Sequence, residues 1–104
     1  MSILSITFHT EVSQLKQWEQ YIQDELILMI ENLMDVEKYI LSDVYNEMIT
    51  EGKNTNLLLI FENNEVRLQF VESELLNITE RIEQKFGESV MVFKTYLDEI
   101  KHSL

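Results

Sequence analysis

The apolar residues of this chain switch between two spacings, and each switch marks a boundary between elements. In residues 3–9, ILSITFH, the period is two: Leu4, Ile6 and Phe8 share one side, and Ile3, Ser5, Thr7 and His9 share the other. That is the alternation of a strand with one oily and one mixed face. From Ser13 the spacing becomes three and four. Leu15, Trp18, Ile22, Leu26, Met29 and Leu33 form the stripe that an amphipathic helix buries, with Thr10 or Ser13 placed to cap its start. The run Leu26, Ile27, Leu28, Met29 and Ile30 widens that stripe and predicts a helix end buried on more than one side.

Residues 38–45, KYILSDVY, are rich in strand formers and predict a second strand, with Tyr39 and Leu41 opposing Ile40 and Val44. The segment ITEGKNTN reads as a turn around Gly52, and LLLIF, residues 57–61, as a third strand that is apolar on both sides. Asn63 or Asn64 caps a second helix whose face combines Val66, Phe70, Val71, Leu75, Ile78 and Ile82. Lys85 falls in its last turn and Gly87 in the left-handed closing position. Residues 90–97, VMVFKTYL, form the last strand. Met91, Phe93, Thr95 and Leu97 face one way, and Val90, Val92, Lys94 and Tyr96 the other.

The order is β-α-β-β-α-β, which predicts an α+β, ferredoxin-like split sandwich over residues 1–104 as a single domain. Right-handed crossovers place both helices on one face of a four-stranded antiparallel sheet. Its strands are nonetheless apolar on both faces. Leu58 and Ile60 oppose Leu57, Leu59 and Phe61, and Val90 and Val92 oppose Met91 and Phe93. Covering about 600 Å² of such surface is worth on the order of 10 kcal/mol before association costs are subtracted. The simplest cover is a second copy, sheet against sheet, in a homodimer through the open sheet face with the form of a dimeric α/β barrel.

Composition narrows the function classes. There is no Cys, which removes thiolate chemistry, disulfides and zinc–cysteine sites. With only two glycines, Gly52 and Gly87, the chain has neither a phosphate-cradling loop nor a Gly-x-Ser-x-Gly elbow. The formal charge is −11, with 10 acids and 2 bases in residues 1–52 and 9 acids and 6 bases in residues 53–104. Neither half forms a basic patch, so no nucleic-acid partner is expected. No apolar run reaches the roughly 18–20 residues that span a bilayer, and MSILSITFHTEV lacks the form of a signal peptide. The expectation is a cytoplasmic protein with no membrane partner.

The segment FGESVMVFKTYLDEI, from Phe86 to Ile100, resembles the C-terminal signature of a family of small bacterial proteins, the domain of unknown function 4286. The family pattern there is a Phe-Gly pair, two or three apolar residues, Phe-Arg-Thr, a Leu and an acidic pair. Phe93, Lys94 and Thr95 occupy the central triplet, with Lys94 in place of the usual arginine. Trp18 resembles the Trp that opens the family's first-helix motif, and Tyr21 and Ile22 stand where a second Trp and a Met are common. The His-Ile-Pro that usually follows corresponds to Leu26, Ile27 and Leu28, so its histidine and proline are missing. The resemblance implies a place among the dimeric α/β barrel proteins, a group with oxygenases, isomerases and structural members, and so selects no reaction.

Candidate site residues are few. His9 would act as a base or ligand only from an interior position; otherwise it is a hydrogen-bonded strand end. His102 sits in the terminal tail. The acids Asp24, Glu25, Glu31, Asp35 and Glu37, and the series Glu72, Glu74, Glu80 and Glu83, read as solvated helix faces, with no histidine spacing to make a metal site. A pocket between facing sheets would draw on His9, Trp18, Tyr39, Phe61, Lys94 and Tyr96, with Lys94 and Tyr96 expected on the partner-facing side. No catalytic set, metal or cofactor is predicted. The leading expectation is a non-catalytic homodimeric scaffold or interaction module. The alternative is a small-molecule binding protein or cofactor-independent enzyme of the dimeric barrel type. RNA binding on the open sheet lacks the basic surroundings it needs.

Overall fold

A computed structural model describes residues 1–45 and 51–103. The central strand β1 (Ser2–Thr10) pairs antiparallel with β3 (Lys53–Phe61) on one side and β4 (Val90–Asp98) on the other, and β2 (Lys38–Asp43) adds to β3, giving the order β2-β3-β1-β4. The ferredoxin-like topology expected from the hydrophobic spacing is thus the one observed.

Directly opposed residues of antiparallel strands point to the same face. Leu4, Ile6 and Phe8 therefore share the helix-covered face with Leu59, Leu57 and Thr55 of β3 and with Tyr96, Lys94 and Val92 of β4. This register corrects one expectation: Lys94 and Tyr96 belong to the helix side of the sheet, not to its open side. They remain exposed because β4 is an edge strand whose only buried residue is Val90, at its start.

Between β1 and β2 runs a helical stretch made of a 3-10 turn (Val12–Gln14), α1 (Leu15–Tyr21), a π turn (Ile22–Leu26) and α2 (Ile27–Glu31). Trp18, Ile22, Leu26 and Ile30 are its buried residues, together with Tyr21. Steps of four overshoot a 3.6-residue turn by about 40° each, and the wider i→i+5 closure of a π turn absorbs the drift. This explains why Ile30 joins the core while Met29 and Leu33, expected in the stripe, are only partly buried against it. The start differs from expectation too. Thr10 ends β1, buried and with Oγ1 unpartnered among the described residues, and no side chain caps the first turn.

The second helical stretch is divided into α3 (Asn64–Glu72) and α4 (Glu74–Phe86). Asn63 Oδ1 accepts from the backbone N–H of Val66 at 2.9 Å, which decides between the two caps the sequence offered. The break falls at Ser73, whose hydroxyl donates to the Gln69 carbonyl at 2.6 Å and so competes with the helix ladder. Gly87 closes α4 at φ +58. β3 begins at Lys53, so half of the segment read as a turn is strand; Gly52, at φ +94, is the turn residue, and positions 49 and 50 lie outside the described residues.

Trp18 is fully buried at the centre of the core. Its ring lies 5.3 Å from Phe8, 5.7 Å from Tyr21 and 5.7 Å from Phe86, and its Nε1 donates to Thr55 Oγ1 at 3.2 Å. One residue thus links β1, α1, α4 and β3. At the opposite end, buried Arg67 on α3 donates from Nη1 to the carbonyls of Ile3 at 2.9 Å and Leu97 at 3.2 Å, and its guanidinium sits 5.0 Å from the Tyr96 ring centre. Trp18→Ala is expected to lower the unfolding free energy by about 3–5 kcal/mol in urea titrations. Trp18→Phe, which keeps a ring but leaves the Thr55 hydroxyl without its donor, should cost about 1–3 kcal/mol.

Candidate functional site

The two surfaces available for function lie on opposite sides of the sheet. On the helix side, a groove of about 730 Å³ opens between α1–α2 and the β2–β3 edge. Ile22, Ile27 and Leu41 supply its apolar lining, and Lys16, Glu19, Asp43 and Lys53 its charges. Lys53 Nζ lies 3.3 Å from Glu19 Oε1 and 3.3 Å from Asp43 Oδ1, tying α1 to β2 across the groove. Burial pulls the Lys53 ammonium down, but its hydrogen bonds to the two carboxylates and their charges outweigh this and hold it above the usual lysine range.

The open side of the sheet carries Ile3, Ser5, Thr7 and His9 of β1, Asn54, Asn56, Leu58 and Ile60 of β3, Lys38, Ile40 and Ser42 of β2, and Met91, Phe93, Thr95 and Leu97 of β4. Ile40 is 56% exposed, Phe93 53%, Met91 46% and Leu97 39%. A polar strip crosses this apolar surface, and its side chains hydrogen-bond to one another in part. Asn56 Nδ2 donates to Ser5 Oγ at 2.8 Å, Thr7 Oγ1 at 3.3 Å and the Ile6 carbonyl at 3.3 Å. His9 Nδ1 meets Asn54 Oδ1 at 2.6 Å, so its ring donates to a carboxamide oxygen.

The six residues singled out in the sequence are not brought together. Trp18 and Phe61 are sealed in the core. Tyr39 on β2 and Lys94 and Tyr96 on β4 occupy opposite edge strands, three strand spacings or roughly 14 Å apart. His9 alone is on the open face, packed at the strand end over Gly52, where an added Cβ would come 3.2 Å from His9 Cε1 and 2.3 Å from the Thr10 carbonyl oxygen. His102 Nδ1 meets Glu99, which also accepts from the N-terminal amine at 2.6 Å, so Glu99 ties the tail to the start of the chain. Those hydrogen bonds, the one from the amine foremost, hold the Glu99 carboxyl below the usual range. No group of acids and histidines able to hold a metal occurs among the described residues.

Sequence reasoning missed the groove charges, because Lys53 reaches Glu19 and Asp43 only once β3 is known to begin at residue 53. It also missed Glu74. Its carboxylate is not simply solvated: Oε2 is buried and unpartnered among the described residues. Burial pushes the Glu74 carboxyl up, the charge of Asp35 adds to this, and the Met34 backbone N–H works against it.

Residues 1–100 match the family described as "Domain of unknown function (DUF4286)". The chain belongs to the DUF4286 family. No curated protein matches it. Among solved structures, an ethyl tert-butyl ether degradation (EthD) family protein from Bacillus halodurans superimposes with a TM-score of 0.70 at 9% identity, over 96% of this chain and 100% of that one. A protein described as dimeric and ferredoxin-like, from an uncultured marine organism, gives 0.65 at 11% identity, over 100% and 99%. HapK from Hahella chejuensis gives 0.66 at 10%, over 100% and 97%. At these identities the likeness concerns the fold alone. Among the described residues, no helix of this DUF4286 chain is long and apolar enough to cross a membrane.

Because the fold disfavours ionised Glu74, its cost is present at neutral pH and vanishes as pH falls through the raised folded value. Glu74→Gln should therefore raise the melting temperature at pH 7, and the gain over the natural protein should shrink toward pH 4. Thermal melts across that range check it.

Proposed function

We propose that this DUF4286 protein is a non-catalytic homodimeric interaction module whose two copies meet through their open sheet faces. The observation that carries this reading is the set of exposed apolar side chains Ile40, Met91, Phe93 and Leu97 on the sheet face that no helix covers. Isolated surface hydrophobes are ordinary, but here Ile40 and Leu97 flank the half-buried Leu58 and Ile3, and Phe93 and Met91 lie on the same face beside the polar strip, a grouping of the kind that marks an interface.

The polar strip on the same face supports the reading. A buried polar group is costly chiefly when it loses its partners. Ser5 and Thr7 each accept from Asn56, and His9 meets Asn54, so these bonds within one chain can persist when a second sheet covers the strip. The structural neighbour described as a dimeric ferredoxin-like protein supports association into a dimer. The groove over β2 supports a second reading, in which the protein also holds a small molecule.

Association brings together two chains of charge −11, so their repulsion should weaken with salt. Sedimentation equilibrium at micromolar concentration is expected to give twice the chain mass of 12.4 kDa, with the dimer tightening as NaCl is raised. The double variant Phe93→Lys, Leu97→Lys should sediment as a folded monomer. A natural protein that is monomeric at every salt concentration would contradict the proposal.

A further inference from the structure

We infer that the groove between α1–α2 and the β2–β3 edge binds a small amphipathic carboxylic acid, its apolar body over Ile22, Ile27 and Leu41 and its carboxylate on Lys16. The inference stands independently of how copies of the chain associate.

The π turn builds the apolar part of this groove. In a regular α-helix, residues five apart are rotated by about 140° and face different ways. Here the Ile27 N–H donates to the Ile22 carbonyl, an i→i+5 closure that widens the turn between these two residues. Both line the groove, with Leu41 across from them on β2. Local π turns recur at functional sites because the extra residue redirects side chains. At about 730 Å³ the opening has the size of an ordinary small-molecule pocket.

The charges select the ligand. Glu19 and Asp43 are both engaged by Lys53, and Lys53 by both of them. Lys16, exposed at the groove, has no partner among the described residues. A cationic ligand would meet two ammonium groups and two carboxylates already engaged. An anion meets one unpaired ammonium. The groove as a whole is neutral in a chain of charge −11, and at physiological ionic strength the remaining acids are screened beyond about 8 Å.

Sodium octanoate titrated into uniformly ¹⁵N-labelled protein tests this directly. Saturable amide shifts are expected in residues 16–27, 41–43 and 53–55. Lys16→Glu should weaken binding at least about tenfold, Lys16→Arg should retain it, and 1-octanol should bind the natural protein about as weakly as octanoate binds Lys16→Glu. Shifts centred on Ile40, Met91 and Phe93 would show adsorption to the open sheet face and overturn the assignment. So would the absence of saturable shifts up to millimolar octanoate, or unchanged affinity in Lys16→Glu.

Discussion

Two helical stretches on one side of a four-stranded sheet cannot shield its other side, and that asymmetry governs the rest of this molecule. On the covered face, Leu4, Ile6 and Phe8 of the central strand meet Trp18, Leu26, Ile82 and their neighbours in a core that excludes water. On the bare face, the same strands present Ile3, Leu58, Ile40, Phe93 and Leu97. Whatever the protein does must be compatible with a surface of that composition, either by covering it or by using it.

The covered face also explains why the groove exists. The helical stretch after β1 follows the core by means of a π turn, and Ile22 and Ile27, which lie against that core, turn their remaining surface to the groove beside β2. Lys53 then bridges Glu19 and Asp43 across the gap. The edge strand β2 is thus held to α1 by charges where apolar contact is sparse. Arg67 fastens the far end in a comparable way, holding the carbonyls of Ile3 and Leu97 beneath α3.

Much of this architecture was legible in the sequence because it depends on local spacing. Alternation identified β1 and β4, the Asn63–Asn64 pair marked the start of α3, and the two-faced strands pointed to a bare sheet face. What was not legible depends on partners distant in the chain. The side of β4 that carries Lys94 and Tyr96 is set by its register with β1, which alternation alone leaves open. The polar start of β3 looked like a turn because Lys53, Asn54, Thr55 and Asn56 are poor strand formers as a group; pairing with Thr10, His9, Phe8 and Thr7 decides their conformation. The break at Ser73 and the π turn each left a trace, a serine inside the stripe and buried positions in steps of four. The candidate pocket failed to assemble for a related reason: aromatic residues chosen for size, such as Trp18 and Phe61, went to the core, while the groove is made of mid-sized aliphatics and paired charges.

The central claim is that the face bearing Phe93 lies against its own counterpart in a second copy. An isotope-filtered NOE experiment on a mixture of ¹³C-labelled and unlabelled chains addresses it residue by residue. The account predicts intermolecular contacts from the Phe93 ring, Ile40, Met91 and Leu97, and none from Ile22, Ile27 or Leu41. Contacts confined to the groove or to the helices, or no intermolecular contacts at all, would contradict it.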